Sequence, residues 1–246
     1  MKKPTVIFTG GSGLLGSEFR KIAPEFLYPS AAEFNVTDYA QMERYAAGHG
    51  CDRVIHAAAF TSPPLVDKDP MKAVEVNIVG TANVVRLCQK FGARLMYVCT
   101  DYVFQGDKGQ YQETDPVNPV NKYAWSKLGG ECAARLYDKA LIVRTTFGPD
   151  RFPYDRAFSD QWTSRQPVSV IARKLAALAA SDAAGVVHVG GERRTVLEYA
   201  RSLDPNRVIG ALSVKDVAFR VPVDTSLNCE RFNSLISGGH SQITFK

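Results

Sequence analysis

Short apolar runs alternate with longer stretches of helical spacing along the first 145 residues. Thr5-Val6-Ile7-Phe8-Thr9 is apolar and β-branched and predicts a strand. Leu14 to Ile22 predicts a helix. Glu25–Tyr28 and Arg53–His56 predict two further short strands. Ala73 to Phe91 places Val76, Val79, Val84 and Leu87 at helical spacing and predicts a long helix. Arg94–Cys99 reads as strand, Tyr123–Leu136 as helix and Ala140–Arg144 as strand. Strands alternating with helices imply a parallel sheet covered on both faces, a doubly wound α/β fold of Rossmann type. Beyond Phe147 the pattern weakens. Ile171–Ala180 predicts a helix, Val186–Val189 a strand, and Thr195–Leu203 a helix with Thr195 and Glu198 spaced as a capping box. The division expected is a dinucleotide-binding unit over 1–147. A small α/β substrate-binding segment over 148–246 interleaves with the sheet. The Gly- and Ser-containing tail 237–246 is expected to be poorly ordered.

Composition narrows the picture. A chain of 246 residues with 45% hydrophobic content is an ordinary globular length and mixture. No apolar run approaches the ~20 residues of a membrane span. The apolar stretch behind Met1-Lys2-Lys3 is too short for a signal peptide, so a cytoplasmic protein is expected. Five scattered cysteines without a Cys-x-x-Cys pair suggest reduced thiols, and four histidines without ligand spacing argue against a metal site. Net charge is +5. Residues 151–246 carry 13 basic against 9 acidic side chains, either a solvated surface or a segment that meets an anionic ligand. No dense basic patch interleaved with aromatics points to nucleic acid.

Two motifs carry chemistry. Gly10-Gly11-Ser12-Gly13-Leu14-Leu15-Gly16 joins the first strand to the first helix. It fits Gly-x-x-Gly-x-x-Gly through Gly10, Gly13 and Gly16, and Gly-x-Gly-x-x-Gly through Gly11, Gly13 and Gly16. Glycines there let a diphosphate approach the backbone, and the helix N-terminus offers it free N–H groups. No carboxylate follows Tyr28-Pro29-Ser30-Ala31 to take a ribose 2′-hydroxyl, and Glu33 comes late. Arg20 and Lys21 could face a 2′-phosphate, so NADP is favoured over NAD. Asp38 is a candidate adenine contact or the cap of the next helix.

The second motif is Tyr123-Ala124-Trp125-Ser126-Lys127. Four residues apart, Tyr123 and Lys127 share a helical face. The ammonium is expected to lower the phenol pKa from ~10 and so fit it for proton transfer at neutral pH. The plainer reading is a packed tyrosine and a solvated lysine.

Gly10-x-x-Gly13-x-x-Gly16, His56-Ala57-Ala58-Ala59, Asn77 and Tyr123-x-x-x-Lys127 together resemble the extended short-chain dehydrogenase/reductase family. Thr100-Asp101-Tyr102-Val103-Phe104-x-Gly106, Glu113-Thr114-Asp115-x-x-x-Pro119, Lys127-Leu128-x-Gly130-Glu131, Leu141–Thr145 and Asp224–Asn228 are similar to its dTDP-4-dehydrorhamnose reductase branch. The resemblance implies hydride transfer between NADPH and a 4-keto-6-deoxy nucleotide sugar. Tyr123 would be the general acid, Lys127 its partner on the nicotinamide ribose, and Thr100 the hydroxyl that polarises the carbonyl. It implies cofactor contacts at Gly10, Gly13, Leu14, Leu15, Gly16, Asp38, Ala57, Ala58, Ala59, Asn77, Tyr123 and Lys127. Substrate contacts are implied at Asp101, Tyr102, Phe104 and Arg144; Asp101 has the alternative of capping the turn after the strand. The same superfamily contains NAD-dependent epimerases and dehydratases and a non-catalytic regulatory subunit, and its members often form homodimers through the two long helices. Pro63 and Pro64 depart from the branch in a loop expected near substrate, and the C-terminal segment is shorter than usual for it.

Overall fold

The computed structural model describes residues 3–237; the expectation for the extreme C-terminal tail falls outside these residues from 238 onward. Five parallel strands form the central sheet in chain order: β1 (Val6–Thr9), β2 (Arg53–His56), β3 (Arg94–Thr100), β4 (Ala140–Thr145) and β5 (Gly185–Val189). The strand expected at Glu25–Tyr28 shrinks to one bridging residue, Leu27, outside β1. Its N–H donates to the Val6 carbonyl and its carbonyl accepts from Phe8, both at 2.8 Å. Pro24 and Pro29 bracket it, and proline cannot donate to a ladder. The chain thus steps outward from β1 to Leu27 and returns to β2 on the other side. Strand order reverses between β1 and β2, and in open α/β sheets that reversal opens a crevice at the carboxyl ends of the strands.

Helices cover both faces. Helices α1 (Leu14–Ile22), α7 (Val168–Ala179) and α9 (Glu230–Ser237) pack on one side, where Phe8, Phe19, Met96, Leu141, Ile171 and Val187 share a core. On the other side lie α2 (Tyr39–His49), α5 (Gly80–Phe91) and α6 (Lys122–Arg135), with Ile7, Met42, Val54, Leu87, Tyr97 and Ile142 between them and the sheet. Short helices α3 (Pro63–Lys68) and α4 (Pro70–Ala73) precede α5. The long helix expected at Ala73–Phe91 is interrupted by a π segment, Val74–Val79, which carries Asn77. Such bulges recur at functional sites.

The second half of the chain does two jobs. It contributes α7 and β5 to the sheet. It also builds a separate small core of Phe152, Val196, Leu197, Tyr199 and Ile209 around α8 (Val196–Leu203). The capping box read from the sequence starts α8: the Glu198 N–H donates to Thr195 Oγ1 at 3.1 Å, and the Thr195 N–H to Glu198 Oε2 at 2.7 Å. All five cysteines are unpaired. Among the described residues no helix is long and apolar enough to cross a membrane, and no cluster of three metal-ligating side chains occurs.

Candidate active site

A cavity of about 1660 Å³ opens over the carboxyl ends of β1 to β4 and is closed on its far side by the C-terminal lobe. Single-ligand pockets run to roughly 1,000 Å³, so this one has room for a cofactor and a second molecule together. Its lining begins at Thr9 and continues through Gly10, Gly11, Ser12, Gly13, Leu14 and Leu15. Gly10 has φ +77, a conformation costly for any residue with a Cβ. Gly16 lies behind the turn, where a Cβ would stand 2.5 Å from the Gly11 Cα. Helix α1 starts at an N-cap, Gly13, without a side-chain cap, and its first turn holds no acidic residue. Its leading N–H groups therefore open onto the cavity as an anion site, and the cradle fits a dinucleotide diphosphate.

Arg20 stands at the rim of this end. Its guanidinium lies 4.4 Å from the Tyr28 ring centroid and donates to the carbonyls of Gly11 and Tyr28, each at 3.2 Å. Lys21 does not share the site; it pairs with Glu18 at 2.5 Å on the outer face of α1. Glu33 accepts from the Ser30 N–H and hydroxyl, so its carboxylate is occupied locally.

At the other end of the cavity the chemistry-bearing residues converge. Thr100 ends β3, with its hydroxyl donating to Asp101 Oδ1 at 3.1 Å and accepting from the Tyr102 N–H at 3.2 Å. Tyr123 and Lys127 project from α6, which Asn121 caps by accepting from the Ala124 N–H at 2.9 Å. All three residues line the cavity, as do Asp101, Tyr102, Ala57, Ala58 and Ala59. The Tyr123 carbonyl accepts from Ser126 Oγ at 2.7 Å, and Tyr97 Oη donates to the Lys127 carbonyl at 2.9 Å, so this turn of α6 is fixed from both sides.

The electrostatics differ from the sequence expectation. Tyr123 is pushed up, not down, because burial penalises the phenolate. The main influence opposing burial is a hydrogen bond with Thr100, not the charge of Lys127. The Lys127 ammonium sits 4.4 Å from the Tyr97 ring centroid. Burial lowers it to about 8, with Cys99 and Glu131 acting the other way. Lys127 remains mainly cationic at neutral pH, and the phenol remains a proton donor. Asp101 is raised to about 6 by burial, against hydrogen bonds from Thr225 (2.6 Å) and Thr100 and the charge of Arg165.

Several expected site residues lie elsewhere. Asp38 caps α2, accepting from the Gln41 N–H at 3.0 Å, and is outside the cavity lining. Asn77 is buried and clamps the loop at Phe60 to α6: its amide meets both backbone groups of Phe60 and donates to Ser126 Oγ at 2.8 Å. Phe104 is fully buried, stacked on Tyr111 at 4.2 Å. Arg144 is also fully buried, gripped by Glu131 through two bonds of 2.7 and 3.1 Å. β4 alternates faces, and Arg144 points to the α6 side beneath the sheet's end, away from the cavity. Other lining residues carried no motif, among them Phe152, Tyr154, Arg156, Gln161, Arg165 and Phe219. The only trace of them in the sequence was the basic excess of this half.

Comparison with known proteins agrees with this fold. A sequence profile of the RmlD substrate binding domain matches residues 4–204. The dTDP-4-dehydrorhamnose reductase of Mycobacterium tuberculosis is 33% identical, covering 82% of this chain and 77% of its own. The crystal structure of dTDP-4-dehydrorhamnose reductase from Bacillus anthracis in complex with NADP superposes with a TM-score of 0.85 at 25% identity, covering 98% of this chain and 94% of that one. Methionine adenosyltransferase 2 subunit beta of Bos taurus is 26% identical, covering 94% of this chain and 82% of its own. The profile covers most of the chain, the Rossmann-type fold is shared with that crystal structure, and the chain belongs to the RmlD substrate-binding domain family.

Proposed function

We propose that this protein is an NADP-dependent oxidoreductase that reduces the carbonyl of a 4-keto-6-deoxy nucleotide sugar, with Tyr123 as general acid. The observation that carries this reading is the convergence of Thr100, Tyr123 and Lys127 at the end of a cavity whose opposite end is a dinucleotide cradle. The nicotinamide, when bound, supplies the hydride. Tyr123 gives its phenolic proton to the carbonyl oxygen as negative charge develops there. The Thr100 hydroxyl, turning its proton from Asp101, donates to the same oxygen. Lys127 holds a positive charge in a water-poor pocket, where it steadies the phenolate left after proton transfer. Gly10, Gly13, Leu14, Leu15 and Ala57–Ala59 would hold the cofactor, and Arg20 would meet the 2′-phosphate that separates NADP from NAD.

Tyr123→Phe tests the assignment. It should lower NADPH oxidation with dTDP-4-keto-6-deoxy sugars by about 10²–10⁴-fold while leaving NADPH affinity unchanged in a fluorescence titration. A variant that turns over at the wild-type rate removes Tyr123 from the role.

The likeness to methionine adenosyltransferase 2 subunit beta supports a second reading, a nucleotide-binding regulatory subunit. Under that reading the wild type binds NADP, turns over no nucleotide sugar and co-purifies with a larger partner enzyme. A homodimer is a further part of the proposal. Trp125 on α6 is 54% exposed, Val79 beside α5 is 39% exposed and Cys132 is also exposed, a helical face suited to a second copy. Light scattering at the mass of two chains supports the dimer; a monomer mass removes it.

A further inference from the structure

Arg165 lines the cavity, half-buried, and the proposed chemistry leaves it without a task. It sits in a turn fixed on every side. Its N–H donates to Thr163 Oγ1 at 3.1 Å, its carbonyl accepts from Arg194 at 3.4 Å, and the next residue, Gln166, donates to the Thr146 carbonyl beyond β4. Its stem runs beside Gly148, where an added Cβ would stand 3.7 Å from Arg165 Cδ. The guanidinium is held close enough to Asp101, Tyr102 and Tyr199 for its charge to act on all three.

What it lacks is a partner. Arg165 belongs to none of the ion pairs among the described residues, and its Nε is buried without a hydrogen bond. Asp101, the nearby acid, has each carboxylate oxygen engaged by a threonine hydroxyl. A guanidinium offers five donors in a planar fork and cannot shed its charge. Held rigidly in a partly desolvated pocket, it is built for a bidentate oxyanion. Phe152, Phe158, Val196, Leu212 and Phe219 wall the same compartment and offer apolar surface for a base or sugar face.

We propose that Arg165 is the anchor of the substrate's diphosphate and thereby selects nucleotide-linked sugars over free sugars. The inference rests on the reading of this cavity as a nucleotide-sugar site and assigns the group that reads the nucleotide half. It makes Arg165 a binding residue for the part of the substrate that does not react. Its loss should therefore appear in KM and not in kcat, since uniform binding is what it supplies.

The test is calorimetric titration of dTDP, which has the diphosphate and no sugar, into NADP-saturated protein. Wild type, Arg165→Gln and Arg165→Lys are compared, with NADP affinity measured for each. The expected result is at least about tenfold weaker dTDP binding in Arg165→Gln, partial recovery in Arg165→Lys, and equal NADP affinity in all three. With dTDP-4-keto-6-deoxy sugar, KM should rise by a similar factor at nearly constant kcat. If Arg165→Gln binds dTDP as tightly as wild type while wild type turns over the nucleotide sugar, the diphosphate assignment is overturned and the proposed function stands. A loss of turnover without a loss of dTDP affinity points to a keto or hydroxyl oxygen of the sugar instead and also overturns it. A parallel loss of NADP affinity marks Arg165 as structural. If wild type binds NADP but neither dTDP nor any nucleotide sugar, both readings fall.

Discussion

Lys127 and Arg144 are both buried cations beside Glu131 of α6, and the sequence pointed to both as site residues. Their surroundings separate them. Arg144 has its donors spent inside the protein: two bonds to Glu131, one to the Glu113 carbonyl at 3.5 Å, a contact with His188 Nε2 at 3.4 Å, and the face of Phe104 at 5.0 Å. Glu131 in turn holds Arg135. Lys127 has no ion pair among the described residues, rests over an aromatic face and opens onto the cavity. A buried charge completed by the protein specifies structure. A buried charge left incomplete is a cost carried by the fold, and such costs gather at functional sites.

The contrast can be broken most forcefully at Glu131. Glu131→Ala leaves the guanidinium of Arg144 fully buried without its carboxylate, and should destabilise the protein by about 3–5 kcal/mol in urea unfolding; it also removes a charge that opposes the effect of burial on Lys127. A loss below ~1 kcal/mol would show that Arg144 finds water or another acceptor and is not the structural pole supposed here.

Lys127→Met should act in the opposite direction on stability. The folded-state pKa of about 8 lies below the ~10.5 of a free lysine, so below pH 8 the fold carries an ammonium it disfavours. The penalty is on the order of 3 kcal/mol. As pH rises from 8 to 10.5 the unfolded chain binds more protons than the folded one, so wild-type stability rises through that window. Lys127→Met lacks this ionisation. It should melt above wild type at pH 7, with the gap closing toward pH 10.5, and should lose reductase activity. A variant that melts below wild type at pH 7 would place Lys127 with Arg144.

The smallest effect is expected at Asp38. Removing the cap of α2 by Asp38→Ala should cost ~1 kcal/mol and leave NADP affinity unchanged. A selective loss of NADP affinity would return Asp38 to the cofactor site.

Much of this was legible along the chain. The strand–glycine turn–helix unit at its start depends on local rules, since β-branched residues pair and glycines allow φ > 0. It appears where expected, with α1 spanning Leu14–Ile22. The Thr195/Glu198 box is equally local. The second strand was misjudged because an apolar run between two prolines does not reveal how little ladder it can form. Arg144, Phe104 and Asn77 are buried outside the cavity lining, which their motifs did not reveal because a motif records which residues recur together, not which side of the sheet each one meets. Arg165 and the apolar wall of the C-terminal lobe were invisible because their role depends on residues far apart in sequence.

The sequence alone determined the alternation of strand and helix, the phosphate-binding turn and the Tyr-x-x-x-Lys spacing on one helical face. Each follows from contacts within a few residues, where chain geometry leaves little choice. Only the tertiary structure decided which charges are satisfied. It turned Arg144 toward Glu131, left Arg165 and Lys127 facing a cavity, and set the Tyr123 phenol in surroundings that keep its proton in place. Burial and long-range pairing set the free energy of a charge, and both exist only once the chain has folded.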